Sequence, residues 1–326
     1  MGKSRRLFTA LVVVPLALTA LTACQGGKKN EAKTTPGTGG GYTFAVVTHG
    51  GTGDAFWTVV KNGAMAAGKQ MNDKVSYQSS GDPQQQSQLI DAAVNQKVDG
   101  LVVSMANPDA LKASIEKAVA AGIPVITINS GAEQSKAFGA ITHVGQDETV
   151  AGKGAGDKLA SMGVHHLLCV IHEAGNVGLE QRCAGAKAGL AGGSVENLQV
   201  DINNPQAAQS TIQAKLQSDK SVDGVLTLNA QVASVAVQAV KGAGSTAKVA
   251  TFDLNTDVAK AVEAGDIAFA VDQQQYTQGY LPIVLLTLYK QNLNTLGGGQ
   301  PILTGPGFVT KDNAAQVEAL TEKGTR

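Results

Sequence analysis

The chain has 326 residues, enough for one to three domains with ample core. Its 26 basic and 26 acidic residues cancel, which excludes a global field that would draw it to nucleic acid or an anionic membrane surface. Only 16% of residues are charged, while uncharged Gln, Asn, Ser and Thr are plentiful, a composition suited to neutral polar matter.

Lys3, Arg5 and Arg6 precede an apolar run, Leu7 to Ala20, that is too short for a comfortable membrane span and fits the h-region of a signal peptide over 1–23. Leu21-Thr22-Ala23-Cys24 resembles a bacterial lipobox, which implies acylation of Cys24; the alternative is an ordinary secretory peptide with a stray Cys. Ser4-Arg5-Arg6-Leu7-Phe8 also resembles part of a twin-arginine signal, so the export route stays open. Lipidation would hold the protein outside the cytoplasmic membrane, anchored to it without spanning it. Residues 24–41 read as a flexible tether.

At 43–48 a β-branched and aromatic run gives way to glycines and then to apolar residues at 56, 59, 60 and 64. This predicts a buried strand, a turn and a helix with Asp54 as its N-cap. Further strands are predicted at 74–78, 100–105, 124–129, 140–144, 166–172, 197–202, 224–229, 248–252 and 267–271. Helices are predicted at 55–72, 84–97, 108–121, 147–162, 179–191, 205–218, 231–243 and 256–264. Such alternation predicts an α/β fold with mostly parallel sheets.

An internal echo divides the chain. Asp82-Pro83-Gln84 opens a helix that closes at Val98-Asp99-Gly100, and Asn204-Pro205-Gln206 opens another that closes at Val222-Asp223-Gly224. In each copy an Asx residue caps, Pro takes the first helical position, and Asp-Gly turns into a buried strand. We read this as two similar doubly wound lobes, 42–145 plus 273–304 and 146–272 plus 305–326, with a ligand cleft where their sheets' carboxyl ends face each other. The strand-end residues Thr48, Ser104, Asn129, Asn229 and Asp253 offer the donors and acceptors that hydroxyl groups require. Phe56 and Trp57 either form an aromatic platform for C–H surface or belong to the core.

From about Tyr42 to Phe308 the chain resembles the ribose/galactose type of periplasmic solute-binding protein, the extracytoplasmic receptors of ABC sugar importers. The resemblance lies in Phe44-Ala45-Val46-Val47, Phe56-Trp57, Val98-Asp99-Gly100, Gly122-Ile123-Pro124-Val125-Ile126, Arg182 and Phe252-Asp253, in that order. It implies that Phe56 and Trp57 stack on a sugar face with Asp54 before them. It also implies that Thr48, Ser104 and Asn129 act from the first lobe, and Arg182, Asn229, Asp253 and Gln273 from the second side. Asn204 falls where relatives often place an aromatic. Ribose-type relatives have Asp-Arg where this chain has Asn129-Ser130, which points to a small polyol or pentose other than ribose. Three hinge crossings are implied near Gly145-Gln146, Asp272-Gln273 and Thr304-Gly305, permitting closure that an ABC permease recognises.

Other motifs carry less. His165-His166 point to opposite strand faces, which speaks against a shared metal. His49 and His172 either line the cleft or serve the structure. The glycines at 50, 51 and 53 are not followed by Gly-Lys-Ser/Thr, so no nucleotide site is expected. Asp253 has no paired carboxylate or base, so no enzyme is expected. Cys169 and Cys183 are either buried thiols or, as an oxidising compartment favours, a bridge. A monomer with no cofactor, no metal and no nucleic-acid partner is expected. A ligand sensor of the same fold, coupled to a membrane kinase or chemoreceptor, stays open beside the transport receptor.

Overall fold

The computed structural model describes residues 40–51 and 53–326, so the signal segment, Cys24 and most of the tether lie outside the described residues. The first half runs β1 (Thr43–Thr48), α1 (Ala55–Met71), β2 (Lys74–Ser79), α2 (Pro83–Asn95), β3 (Gly100–Ser104), α3 (Pro108–Ala120), β4 (Val125–Ile128), α4 (Ala132–Ser135) and β5 (Thr142–Gly145). The second half runs α5 (Glu148–Ser161), β6 (His166–Ile171), α6 (Val177–Gly189), β7 (Ser194–Gln199), α7 (Pro205–Ser218), β8 (Gly224–Thr227), α8 (Ala230–Gly242), β9 (Lys248–Phe252), α9 (Thr256–Ala264) and β10 (Ala270–Asp272). The chain then returns through α10 (Gln275–Asn292) and β11 (Ile302–Leu303), and leaves again through β12 (Gly307–Val309) and α11 (Ala314–Glu322).

One sheet has the order β11-β5-β4-β3-β1-β2 and the other β12-β10-β9-β8-β6-β7, the same plan position by position. Pairing is parallel except where β12 meets β10 antiparallel. Two doubly wound lobes thus exist as expected. Three crossings join them: β5 to α5, β10 to α10, and β11 to β12.

The repeated Val-Asp-Gly has a physical reason. Asp99 accepts from Thr43 N at 2.9 Å, and Asp223 from His166 N at 2.8 Å, so in each lobe this carboxylate ties down the start of the strand next door. The helices after β1, β2, β3, β5, β6, β7, β8 and β9 all begin with an Asp or Asn side chain accepting a backbone N–H. Each cap satisfies a first-turn donor that the helix itself cannot pair. Because these helices start at the carboxyl ends of the strands, four of the caps, Asp54, Asn107, Asn176 and Asn229, line the space between the lobes.

The short elements α4, β11 and β12 were not predicted, and the structure differs from the sequence reading at three longer ones. β7 spans 194–199, not 197–202, because it is an edge strand with mostly exposed side chains, and the buried Val200 just beyond it drew the reading forward. α10 was not expected because Gly279 and Pro282 interrupt its sequence. Gly279 is needed there, since a Cβ would stand 1.9 Å from Val60 O of α1. α11, short and mostly exposed, also lacks a clear apolar period.

Candidate interlobe binding site

On the first lobe, the glycine turn after β1 lets the indole of Trp57 fold back against it: a Cβ at Gly50 would lie 2.3 Å from Trp57 Cγ. Trp57 meets Phe56 edge-on at 5.0 Å and His49 at 4.6 Å between ring centroids. Both aromatics belong to the lobe's buried cluster and also line the interlobe chamber, so a place in the core and a place on the chamber wall are compatible. Asp54 caps α1 by accepting from Phe56 N at 2.8 Å; burial pushes its pKa up to about 6.

Asn129 follows β4 and Asp253 follows β9, the same place in either sheet. Both take left-handed backbone, at φ 62 and 71, which Asn and Asp tolerate better than other residues with a Cβ. Gln273, on the crossing after β10, joins them: its Oε1 accepts from Asn129 Nδ2 at 3.2 Å and its Nε2 donates to Asp253 Oδ1. Burial raises the Asp253 pKa to about 7, although Arg182 and the Gln273 bond both oppose the shift. Strain and raised pKa at matching strand ends are typical of functional positions.

Arg182, on α6, is 3% exposed. Glu148 at the start of α5 accepts from its Nε at 2.6 Å and its Nη2 at 3.1 Å; Nη1 donates to Leu228 O at 3.3 Å. The Phe252 ring lies 4.6 Å from Cζ. Burial alone would lower the Arg182 pKa, but Glu148 outweighs it and the net shift is upward. A guanidinium carries five N–H bonds, so two stay available to a ligand. Cys183, the next residue, is joined to Cys169 of β6, which pins this part of α6 to the sheet.

His49, His172, Glu173 and Asn176 complete the chamber. Ser104 Oγ contacts both His49 N at 2.9 Å and His49 Nδ1 at 2.7 Å; both contacts are satisfied when Ser104 donates to Nδ1, which leaves the ring proton on Nε2 toward Glu173. Burial works against the Glu173 charge, yet His49 and His172, at the acid pH where they are protonated, and the bond from Asn176 more than offset it and its pKa is lowered. The chamber holds about 20 Å³, room for about one water and far too little for a sugar-sized molecule, so such a molecule could enter only if the lobes part. It opens into an outer hollow of about 650 Å³ between the lobes.

Of the residues singled out from the sequence, Asp54, Phe56, Trp57, Asn129, Arg182, Asn229, Asp253 and Gln273 come together around this chamber. Three do not. Thr48 is fully buried and bonds Tyr77 Oη at 2.8 Å, Ser104 orients His49, and Asn204 is an exposed cap whose Oδ1 accepts from Ala207 N at 3.1 Å. Asn204 follows the cap reading of the internal echo and not the ligand position of the resemblance. Glu148 was missed; the available signal was that a buried arginine needs an anionic partner and that Asp147 already serves as the cap of α5. Asn176, which caps α6 and accepts from Ser130 Oγ at 3.2 Å across the cleft, was passed over as a turn residue.

Residues 44–292 match the family described as periplasmic binding protein domain. A ribose import binding protein of Bacillus subtilis (strain 168) is 24% identical over 283 residues, 83% of this chain and 89% of that protein. A ribose import binding protein of Haemophilus influenzae is 28% identical over 239 residues, 70% of this chain and 79% of that protein. Among solved structures, a carbohydrate transporter from Acidothermus cellulolyticus 11B in complex with myo-inositol is 45% identical with a TM-score of 0.85, covering 87% of this chain and 99% of that one. These relatives are extracytoplasmic substrate-binding proteins and not enzymes. No helix among the described residues is long and apolar enough to cross a membrane. With a match over more than half its length, and with strand ends of two like sheets meeting around one polar chamber, the chain belongs to the periplasmic binding protein domain family.

Proposed function

We propose that the protein is a receptor that closes on a small neutral polyhydroxylated ligand, a cyclitol or pentose-sized polyol, and delivers it to an ABC importer while held to the membrane by lipid at Cys24. The observation that carries this reading is the convergence of Trp57 from one lobe and Arg182 from the other on one chamber, with Asn129, Asn229, Asp253 and Gln273 between them. The indole face suits C–H surface and the amides, carboxylate and guanidinium suit hydroxyl groups at the edges. Ser130 puts a small hydroxyl on the chamber wall where ribose-type relatives carry a long arginine, which favours a bulkier ring once the lobes part. The myo-inositol-bound relative, 45% identical, points to the same ligand class.

Calorimetry with myo-inositol, D-ribose, D-arabinose and D-allose tests the reading. One-to-one binding of myo-inositol, with ribose weaker, is expected; binding of ribose but of no cyclitol or alditol would reverse the ranking. Mass spectrometry of membrane-extracted protein should show a diacylglyceryl adduct that Cys24→Ala abolishes.

A further inference from the structure

The cleft carries more negative charge than a neutral ligand calls for. Asp54, Glu173 and Asp253 line the chamber, and Arg182 is the one lysine or arginine among its described lining residues. That arginine is already matched, since Glu148 holds two of its N–H groups. The outer hollow adds Asp201 to Asp54 and Glu173, with no lysine or arginine among its described lining residues. Neither histidine makes up the deficit: burial lowers the His49 pKa and holds that of His172 down at about 4, so both are neutral at pH 7.

Unpaired polar atoms remain as well. Asp253 Oδ1 accepts from Gln273, and its second oxygen has no hydrogen-bond donor among the described residues. In the same lobe, after β6, His172 is 7% exposed and its Nδ1 has no partner. A metal ion does not fit this arrangement. The one group of three metal-ligating side chains that converge within 4.8 Å among the described residues is His166, Glu196 and Asp219, outside the cleft, and there Lys215 Nζ already stands 2.7 and 3.2 Å from the two carboxylates. What the cleft does fit is an organic cation rich in N–H donors.

Resting on the reading of this cleft as a polyol site, we propose that it takes polyols bearing a protonated amine, an aminocyclitol or small amino sugar, more tightly than their neutral parents, and rejects phosphorylated ones. An ammonium group offers three donors and no acceptor, and its hydrogen bonds to carboxylates are charge-assisted. The upward shifts at Asp54 and Asp253, to about 6 and about 7, are what unmatched buried carboxylates show, and a bound cation would reverse them. A phosphate would instead bring negative charge against three carboxylates.

Calorimetry at pH 7.5 with myo-inositol, 1-amino-1-deoxy-myo-inositol and myo-inositol 1-phosphate tests this. The amine is expected to bind about tenfold tighter than the parent, as one added charge-assisted hydrogen bond allows, and the phosphate not measurably. The amine-to-parent ratio should shrink at pH 5, where Asp54 and Asp253 are protonated, and fall to about one in Asp253→Asn whatever the absolute affinities. An amine no tighter than myo-inositol in the native protein, or a ratio that survives Asp253→Asn, overturns the inference and leaves the polyol reading standing. If only the amine binds, the inference holds and the neutral-ligand reading falls; if none of the three binds, both fall.

Discussion

At Asp253 backbone, hydrogen bonding and charge make separate demands. The left-handed backbone and the bond from Gln273 would suit an asparagine equally well, so the carboxylate serves neither the fold nor the hinge. Its folded pKa of about 7 lies above the ordinary value of 3.8. The stability linked to this group is therefore fully present below about pH 3.8 and is lost as pH rises through 7. Ligand-free Asp253→Asn should match the parent in thermal stability near pH 4 and exceed it at pH 8, by about 4 kcal/mol given a shift of about three pKa units at roughly 1.4 kcal/mol each, while binding ligand more weakly. The buried histidines titrate alike in both proteins, so differential scanning calorimetry of the pair isolates Asp253. Arg182 and Glu148 make the opposite case, a pair matched inside the fold. Glu148→Gln should destabilise by about 3–5 kcal/mol because a buried guanidinium loses its counter-charge. Arg182→Met combined with Glu148→Leu should recover much of that loss in urea unfolding yet bind no ligand. Arg182 was legible from its place in a family order; Glu148 was not, because a first-turn glutamate looks the same in sequence whether it is solvated or buried.

Helix α6 shows how an element aims a side chain. Asn176 caps it, the Cys169–Cys183 bridge pins it to β6, and a glycine seam sets its distance from α5. At that seam a Cβ on Gly152 would stand 2.1 Å from Arg182 O, and one on Gly156 would stand 2.3 Å from Ala186 O. The seam thus fixes the approach of the two helices that carry Glu148 and Arg182. Gly152→Ala should force α6 outward, destabilising by about 1–3 kcal/mol as overpacked sites do. It should also weaken ligand binding beyond what its stability loss explains, because Arg182 moves. Urea unfolding and calorimetry on one sample check both halves; unchanged affinity would show that α6 tolerates the shift. The strands and the Asx-capped helices were legible because period and cap chemistry are local signals. The glycine seams and α10 were not, because a glycine that admits a neighbouring backbone reads in sequence as a helix breaker until the neighbour is known.

Closure of the whole molecule is set by few direct contacts. Val177 N donates to Ala106 O at 3.0 Å across the cleft, Ser130 Oγ to Asn176 Oδ1 at 3.2 Å, Gln231 Nε2 to Gly53 O at 3.4 Å, and Gln181 Nε2 to Glu133 Oε1 at 3.0 Å. Each is a modest bond of roughly 0.5–1.5 kcal/mol net, so ligand contacts can tip the balance between open and closed. Between these bonds lies Gly178, in the first turn of α6. A Cβ there would meet Ser130 Oγ of the other lobe at 2.7 Å. This glycine is small for the sake of the closed form and not of either lobe, since its nearest foreign neighbour lies across the cleft. Gly178→Val should therefore leave urea unfolding of the lobes nearly unchanged while wedging the cleft. Ligand affinity should fall about tenfold or more if the wedge takes away contacts worth roughly 1.4 kcal/mol. Small-angle scattering should then show no contraction at saturating ligand. Ser130→Gly in the same chain removes the atom the valine strikes and should restore contraction. A valine variant that contracts like the parent would mean that the lobes close along a path that does not bring α6 against Ser130.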